Sequence, residues 1–520
     1  MEDKWCDVKL DPLIRKCCIK VEHPSLNDQC PDWERLKESI FPWNGDIPLF
    51  LVRRLPKIIR ETCYYLTLVI DDKELLGIEK GDATDRLLGM AFDIGTTTVV
   101  GYLVDLNTGR ELCTVSAINP QVDYGADVIS RITFAAQEEQ GLQKMHKSII
   151  EIVNDLIVNA AAQVDTSPDQ IYALLMVGNT CMHHFFMGIN PAQIALYPYV
   201  PVIKGSLVVP AKELGVRINP NGRVYALSNI GSFVGSDAAA VIMATGINNS
   251  EGIKLVIDVG ANCEIILGNN KHLYVCSTAA GSAFEGSQIL CGMGAVKGAI
   301  DHVKVGHKIT YTVIGGAQPQ GICGSGLIDV VAGLLNHGII NGKGDILSTS
   351  NINGKVPSSL KDRIIKYDGA NAFLLVGESA MLHNSKPIIV TQRDVRELQL
   401  AKGAIRAGIQ ALMDQLDVSA DDIEEVLLAG SLGNQLDPAS IYTIGMLPLR
   451  FQNTVRVVGH AAGVGAKAAL LCKNKYEEAE LVSKVTDYLE LSAYNNFNDL
   501  FASYLAFPPQ DQNDKQIRQW

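Results

Sequence analysis

From Met90 onward the chain alternates short apolar runs with glycine-rich corners, a pattern that predicts β-strands joined by tight turns. Segments with apolar residues at helical spacing lie between these runs, at residues 145–164, 393–416 and 461–472. Strands that alternate with helices predict an α/β protein with mixed sheets.

The region before Met90 has a different pattern. Residues 48–61 have the apolar spacing of a helix, and residues 63–79 read as two strands joined by an Asp-Asp turn. We therefore predict a small α/β module over 46–88. Residues 1–45 contain four prolines, which favours a linker or extended arm.

One pattern occurs twice. Residues 90–102 read MAFDIGTTTVVGY, and residues 255–267 read LVIDVGANCEIIL. Each copy runs from an apolar strand through Asp-x-Gly into another apolar strand, and a turn signal and a third strand follow. The repeat predicts two related halves, each opening with a three-stranded antiparallel meander.

The chemistry of these two hairpins suits a nucleotide phosphate. Glycine allows the backbone to approach a ligand closely, and successive N–H groups of a tight turn can bind an anion. The aspartates would hold Mg²⁺ or its waters, which then bridge to phosphate. Facing each other, the hairpins would grip a triphosphate from both sides. The predicted metal ligands are Asp93 and Asp258, and the predicted phosphate-binding residues are Gly95, Thr96, Thr97, Thr98, Asp258, Gly260, Ala261 and Asn262.

A third segment extends this prediction. The apolar strand in 424–429 runs into Gly430, Ser431, Leu432 and Gly433. Glycines at the start of a helix would let an adenosine lie against the backbone. Alone, this sequence is more often only a turn, but after two phosphate hairpins we assign Gly430, Ser431 and Gly433 to nucleotide binding.

Composition and charge narrow the partners. The chain has 520 residues, 47% of them hydrophobic and 20% charged, with a formal net charge of −12. An acidic surface repels nucleic acid and anionic lipid, so we expect neither as a partner. The chain shows no signal sequence or apolar run long enough for a membrane span, which predicts a cytoplasmic protein.

The order of the three segments resembles the actin-like superfamily of sugar kinases, heat-shock chaperones and actin. This resemblance implies two ribonuclease-H-like halves, at 89–248 and 249–520 with a C-terminal extension, that bind ATP and Mg²⁺. Residues 232–246 resemble the Gly-x-Asp-x-Ala-Ala run of the sugar-kinase branch. By that resemblance Asp237 is a catalytic base, with Asp93 as a second catalytic residue; an N-cap role for Asp237 is compatible with this.

Four further segments resemble a narrower family, the ATP-dependent reductive activators of corrinoid proteins. They are residues 176–191, 277–300, 321–335 and 427–438. The resemblance covers nearly the whole chain and implies a corrinoid protein partner, whose cobalt is reduced from Co(II) to Co(I). We expect the loop 279–288 to contact that partner through Ser282, Phe284 and Glu285. His183 and His184 are expected to be helix residues rather than metal ligands.

One departure from this family concerns electron transfer. Members of this layout carry an N-terminal two-iron ferredoxin-like domain, whereas this sequence begins where the linker would begin. No C-x-x-C occurs among the twelve cysteines, so we predict no iron–sulfur cluster in the chain. Electrons would then come from a separate donor or from the missing ferredoxin domain. The small module could also form a homodimer.

Two other functions remain open from the sequence. Because the Asp237 run is shared with sugar kinases, a small-molecule kinase is one alternative. An actin-like scaffold that uses ATP only to set its conformation is the other. The module at 46–88 and the four family-like segments favour the activator.

Overall fold

The computed structural model describes residues 9–278, 280, 284–286, 288–352, 356–377, 386–433 and 435–509. The chain divides into two compact units, which are Met1–Ala244 with Ala462–Lys484, and Thr245–Ala461 with Val485–Trp520. The division into four parts made from the sequence stays a prediction.

The first unit begins with the small module. Its three-stranded sheet has the order β1-β2-β3, with β1 at Arg15–Lys20, β2 at Tyr65–Ile70 and β3 at Leu75–Lys80. Helices Asp32–Glu38 and Leu49–Glu61 accompany it. Leu51, Leu55 and Ile59 are buried four residues apart on one face of the second helix, as its spacing predicts.

Strand β1 comes from the segment predicted as a linker or arm. It pairs antiparallel with β2, so this part of the chain belongs to a sheet. Three of its six side chains are half-buried and only Ile19 is fully buried, so it lacks the apolar–polar alternation by which a strand is recognised.

The large sheet of the first unit has the order β6-β5-β4-β7-β9-β8. The meander β4–β6 is antiparallel, whereas β7 runs parallel to β4 and β9 parallel to β7. All eight residues of β7 are buried, as in a central parallel strand covered on both faces. The strands are β4 Leu88–Ile94, β5 Thr98–Asp105, β6 Glu111–Ile118, β7 Ile171–Gly178, β8 Leu207–Pro210 and β9 Arg223–Ala226.

The large sheet of the second unit has the order β20-β19-β10-β11-β12-β21. Its antiparallel meander β10–β12 is likewise followed by two parallel strands on the other side of the first strand. The strands are β10 Ile253–Val259, β11 Cys263–Gly268, β12 Leu273–Thr278, β19 Ile423–Ala429, β20 Val455–Gly459 and β21 Thr486–Tyr488. The two units therefore share one strand order. The sequence repeat predicted the meander in each unit, and the resemblance to the actin-like superfamily implied the ribonuclease-H-like fold of both.

Two smaller three-stranded sheets complete the second unit. Their orders are β14-β13-β15 and β16-β17-β18. Their strands are β13 Ala299–Val305, β14 Ile309–Val313, β15 Gly321–Ile322, β16 Ile364–Tyr367, β17 Ala370–Val376 and β18 Ile388–Thr391. These sheets and β11 share one apolar core, which includes Ile265, Val303 and Phe373.

Helices cover the sheets of both units, and the three long helices predicted from the sequence are present. In the first unit they are Val128–Gln137, Gly141–Gln163, Thr180–Met187, Ala211–Leu214, Ser236–Thr245, Ala461–Leu471 and Lys473–Val485. In the second unit they are Gly324–Asn336, Ser358–Lys361, Gln392–Leu416, Gly430–Gly433, Pro438–Thr443 and Phe497–Ser503. Within the described ranges, no helix combines the length and apolar composition that crossing a bilayer requires.

Candidate functional site

The first Asp-x-Gly hairpin lies at the turn between β4 and β5. Asp93 is half-buried and paired with Val100, and the Gly95 N–H donates to the Thr98 carbonyl oxygen at 3.0 Å. A Cβ at Gly95 would lie 2.7 Å from that oxygen, so the turn requires glycine. Thr96 is buried, whereas Thr98 is exposed, so the three threonines of the turn are not equivalent.

Two asparagines that the sequence analysis did not single out hold this hairpin. Asn119 donates its backbone N–H to the Thr97 oxygen at 2.8 Å and its Nδ2 to the Gly95 oxygen at 2.9 Å. Asn179 donates Nδ2 to the Thr96 Oγ1 at 3.0 Å. In the sequence, Asn119 precedes a proline and Asn179 is an N-cap residue, and both are ordinary positions for asparagine. Only the fold shows that both side chains are hydrogen-bonded to the hairpin.

Asp237 lies in the first turn of helix Ser236–Thr245, beside the same edge of the first sheet. The preceding Ser236 hydroxyl is hydrogen-bonded to both the N–H and the carbonyl oxygen of Gly178, and Gly178 is paired in register with Ile94. The fold therefore brings Asp93 and Asp237 to one sheet edge, at the carboxyl ends of parallel strands, where α/β proteins bind ligands.

The environment of Asp237 changes its acidity. Burial raises the pKa of this carboxyl to about 6, although backbone N–H groups of Ala238, Asp237 and Gly235 oppose the rise. The Ala238 N–H lies 2.8 Å from Oδ1, which is the local contact expected at a helix start. A carboxylate with a pKa near neutral pH can accept a proton from water during hydrolysis, so the geometry is compatible with both predicted roles.

The second hairpin is similar to the first, with a turn one residue shorter. Asp258 is the next-to-last residue of β10 and is half-buried, and the Gly260 N–H donates to the Asn262 oxygen at 3.1 Å across the turn. Ala261 is also half-buried in this turn.

The fold brings the predicted adenosine segment to this hairpin. Strand β19 runs parallel to β10 with Ala429 opposite Asp258, so Gly430 follows directly beside the aspartate. Gly430 has a φ of +89°, and a Cβ there would lie 2.5 Å from the Asp258 Oδ1. Ser431 and Gly433 belong to the short helix Gly430–Gly433 that starts at this point.

A second carboxylate accompanies Asp258. Glu264 is paired with Asp258 across the hairpin and is only 7% exposed, and Ser277 donates its hydroxyl to Oε1 at 3.2 Å. The first hairpin has Val100 at the equivalent position. Two neighbouring carboxylates favour a cation near them, so Glu264 is a candidate site residue that the sequence analysis did not single out; its only sequence signal was its place after the Asp-x-Gly turn.

The loop predicted to contact the corrinoid protein is described only in part. Ser282 lies outside the described residues. Phe284 is 3% exposed and packs in the second unit's core, so a direct contact of its ring with a partner would need the loop to rearrange. Glu285 is half-buried. The partner role of the loop stays a prediction.

The adjacent histidines lie in helix Thr180–Met187 and are fully buried. His184 Nδ1 lies 2.7 Å from the Thr180 oxygen, and its Nε2 accepts the Val202 N–H at 3.1 Å. Burial lowers the pKa of His183 to about 3, so this ring is neutral. Among the described residues, no group of three or more His, Cys, Asp or Glu side chains could hold a metal ion.

Comparison with known protein families matches the chain in three consecutive parts. The family descriptions are the RACo linker region at residues 6–85, the RACo middle region at 88–250, and the C-terminal domain of RACo, the ASKHA domain, at 252–517.

Similar proteins agree with this match. The corrinoid activation enzyme RamQ of Eubacterium limosum is 35% identical over 96% of this chain and 84% of its own length. A reductase of Methanosarcina barkeri, named for the Co(II) methylated amine-specific corrinoid protein, is 25% identical over 81% of this chain and 77% of its own. A solved structure of a reductive activator for a corrinoid, iron-sulfur protein is 36% identical, with a TM-score of 0.89. It covers 97% of this chain and 80% of that one.

Proposed function

This chain belongs to the RACo family, and we propose that it uses ATP to drive the reductive activation of a corrinoid protein from Co(II) to Co(I). The similar proteins are named as a corrinoid activation enzyme, a corrinoid protein reductase and a reductive activator. None of these names favours the small-molecule kinase or the scaffold, so the activator is the function that we carry forward.

The observation that carries the ATP part of the proposal is the repeated hairpin. Each unit has an Asp-x-Gly turn between the first two strands of its large sheet. In the second unit, Gly430 leaves room beside the Asp258 carboxylate that any side chain would fill. A carboxylate suits Mg²⁺, and backbone N–H groups of a tight turn suit phosphate oxygens. A backbone surface without side chains leaves room for a nucleoside.

The residues of the chain take the following roles in this proposal. Asp93 and Asp258 hold Mg²⁺ directly or through its waters, and Glu264 adds negative charge beside Asp258. The turn N–H groups and the threonine hydroxyls of the first hairpin bind phosphate oxygens. Asp237 orients the attacking water and accepts its proton. Bound Mg²⁺ supplies the positive charge that offsets the developing charge on the phosphates.

Coupling to the cobalt proceeds through binding energy. The Co(II)/Co(I) couple has a very low potential, so an ordinary donor cannot complete the one-electron reduction. An activator that prefers one ligation state of cobalt shifts this potential, and ATP changes the conformation that makes the contact. No phosphoryl group needs to reach the cobalt. The electron itself comes from a separate donor or a ferredoxin domain.

The small module is the proposed place of a homodimer. Its helix Leu49–Glu61 buries one face but leaves Leu49 62% exposed, and Phe50 and Val52 each 40% exposed. Exposed apolar side chains clustered in the first turn of a helix are candidates for a contact with another chain.

The direct test mixes the chain with a methylated-amine corrinoid protein in its Co(II) state and a low-potential reductant. We expect Co(I) to appear in the visible spectrum only when ATP is present, and the ATPase rate to depend on the corrinoid protein. The control is Asp237→Asn, which should bind ATP but support little turnover. Co(I) formation at the same rate without ATP would contradict the proposal.

A further inference from the structure

An exposed apolar segment follows the buried histidine helix of the first unit. Residues 196–202 read Leu-Tyr-Pro-Tyr-Val-Pro-Val. Four of their side chains are strongly exposed, with Leu196 at 56%, Tyr197 at 82%, Val200 at 57% and Val202 at 64%. We call residues 196–202 the aromatic loop.

The composition of this loop is unusual for a surface. No Asp, Glu, Lys or Arg occurs between Asp169 and Lys204, although 20% of the whole chain is charged. The rings of the loop form a row, with Tyr197 and Tyr199 centred 5.9 Å apart and Tyr199 and Phe233 5.8 Å apart. Contiguous exposed apolar surface of this kind commonly marks a protein contact.

Hydrogen bonds connect the aromatic loop to the first phosphate hairpin. Asn179 caps helix Thr180–Met187 and also donates to Thr96 in the hairpin. One turn later His184 bonds the Thr180 oxygen and accepts the Val202 N–H from the loop. The backbone N–H of Val202 can only donate, so Nε2 of His184 must accept this hydrogen bond. Nδ1 then carries the ring proton and donates to the Thr180 oxygen, which means that the His184 ring is neutral.

The same helix also holds the segment that leads to Asp237. Thr180 donates its hydroxyl to the Gly231 oxygen at 2.7 Å and lies 3.1 Å from the Val234 oxygen. Phe233 in that segment is the residue that meets Tyr199 of the aromatic loop. The hairpin of Asp93 and the segment that leads to Asp237 are therefore both connected to the aromatic loop through helix Thr180–Met187.

We propose that the aromatic loop is the surface on which the corrinoid protein docks, and that Asn179 and His184 are positioning residues that link its conformation to ATP. This inference rests on the proposed function and names the part of the chain that recognises the partner. In the proposed function, ATP changes the conformation that contacts the corrinoid protein. A docking loop bonded to the helix that braces the phosphate hairpin provides a physical connection for this change.

The size of the exposed surface favours such a transient partner over a second copy of this chain. The four exposed side chains offer roughly 450 Å² of surface, whereas a stable interface buries about 800 Å² on each partner. An exposed apolar area smaller than a stable interface is consistent with a contact that forms and breaks repeatedly.

The binding test uses the double variant Tyr197→Ser with Val200→Ser, because both side chains are exposed and their removal leaves the core intact. The matched control is Val158→Ser, an equally apolar residue of the same unit that is 52% exposed. The probe is the Co(II) form of a methylated-amine corrinoid protein. We expect the double variant to lose about tenfold in affinity while its ATP affinity and the control's corrinoid affinity stay unchanged.

Two results would overturn the docking assignment. The first is that the double variant binds the corrinoid protein as tightly as the unmodified chain does. The second is that the double variant keeps its corrinoid affinity but loses self-association of the chain. By contrast, an unmodified chain that neither binds nor activates corrinoid proteins would contradict the proposed function itself, so the two failures are distinguishable.

The coupling test needs no partner. Hydrogen exchange at residues 196–203 should change when Mg²⁺ and ATP are added to the unmodified chain. Asn179→Ser keeps a good N-cap side chain that is too short to reach Thr96, so it should remove most of this change. Exchange in the loop that does not respond to ATP, or that responds equally in the variant, would refute the link.

Discussion

At the scale of single residues, burial sets the acidity of Asp237. Burial raises the pKa of its carboxyl, so the folded chain favours the protonated form. A raised pKa stabilises the folded state at pH values below the unfolded pKa, and this contribution is lost as pH rises through about 6. The ionised form of Asp237, which a general base requires, therefore lowers the free energy of unfolding at neutral pH.

The first prediction concerns the pH dependence of hydrolysis. If Asp237 is the base, kcat/KM for ATP should rise as pH increases from 5 to 7, with an apparent pKa of about 6. Asp237→Asn should lose about 100-fold in kcat without a lower Tm at pH 7, because no buried charge remains. Steady-state rates and thermal melting measure both. A fully active Asn variant would reduce Asp237 to a structural residue.

The second prediction concerns the glycine beside Asp258. Gly430→Ala places a side chain at a φ of +89° and 2.5 Å from the Asp258 Oδ1. The left-handed backbone alone costs an L-residue about 1–2 kcal/mol. We expect a lower Tm and about tenfold weaker ATP binding by calorimetry. Gly294→Ala is the control because a Cβ there meets nothing within 4 Å; equal behaviour of the two variants would contradict this account.

At the scale of elements, helix Ala461–Leu471 packs unusually close to the first sheet. A Cβ on Gly463 would overlap the Tyr102 ring, and a Cβ on Gly465 would overlap the backbone of Ala240 in the Asp237 helix. These glycines therefore let one helix approach both the meander and the Asp237 helix. The apolar spacing of residues 461–472 predicted a helix, but the glycines in it gave no sign of which neighbour they touch.

The third prediction tests this close packing. Gly465→Ala should lower the free energy of unfolding by about 1–3 kcal/mol, because the new methyl group forces neighbouring backbones apart. Denaturant titration measures the change. The control is Gly205→Ala in the same unit, where a Cβ meets nothing within 4 Å. A stable Gly465 variant would mean that the helix can shift without cost.

At the scale of the whole molecule, the sequence predicted the features that repeat and missed those that depend on distant contacts. The Asp-x-Gly repeat predicted both meanders, and their strand order follows in the structure. Strand β1 was not predicted, because it lacks clear apolar alternation. Strand β14 does alternate apolar and polar residues, but nothing in the sequence assigned it to a separate small sheet with β13 and β15. Asn119 and Asn179 were missed because their hydrogen bonds reach a hairpin that is distant in sequence. Glu264 was missed because only strand pairing places it beside Asp258.

The most direct test of the central claim is calorimetric titration of Mg²⁺–ATP into the unmodified chain and the variants Asp93→Asn and Asp258→Asn. We predict one ATP per chain, and a loss of at least about tenfold in affinity for each variant, since both aspartates serve the same nucleotide. Unchanged affinity in either variant, in a chain that is still folded by circular dichroism, would contradict the account.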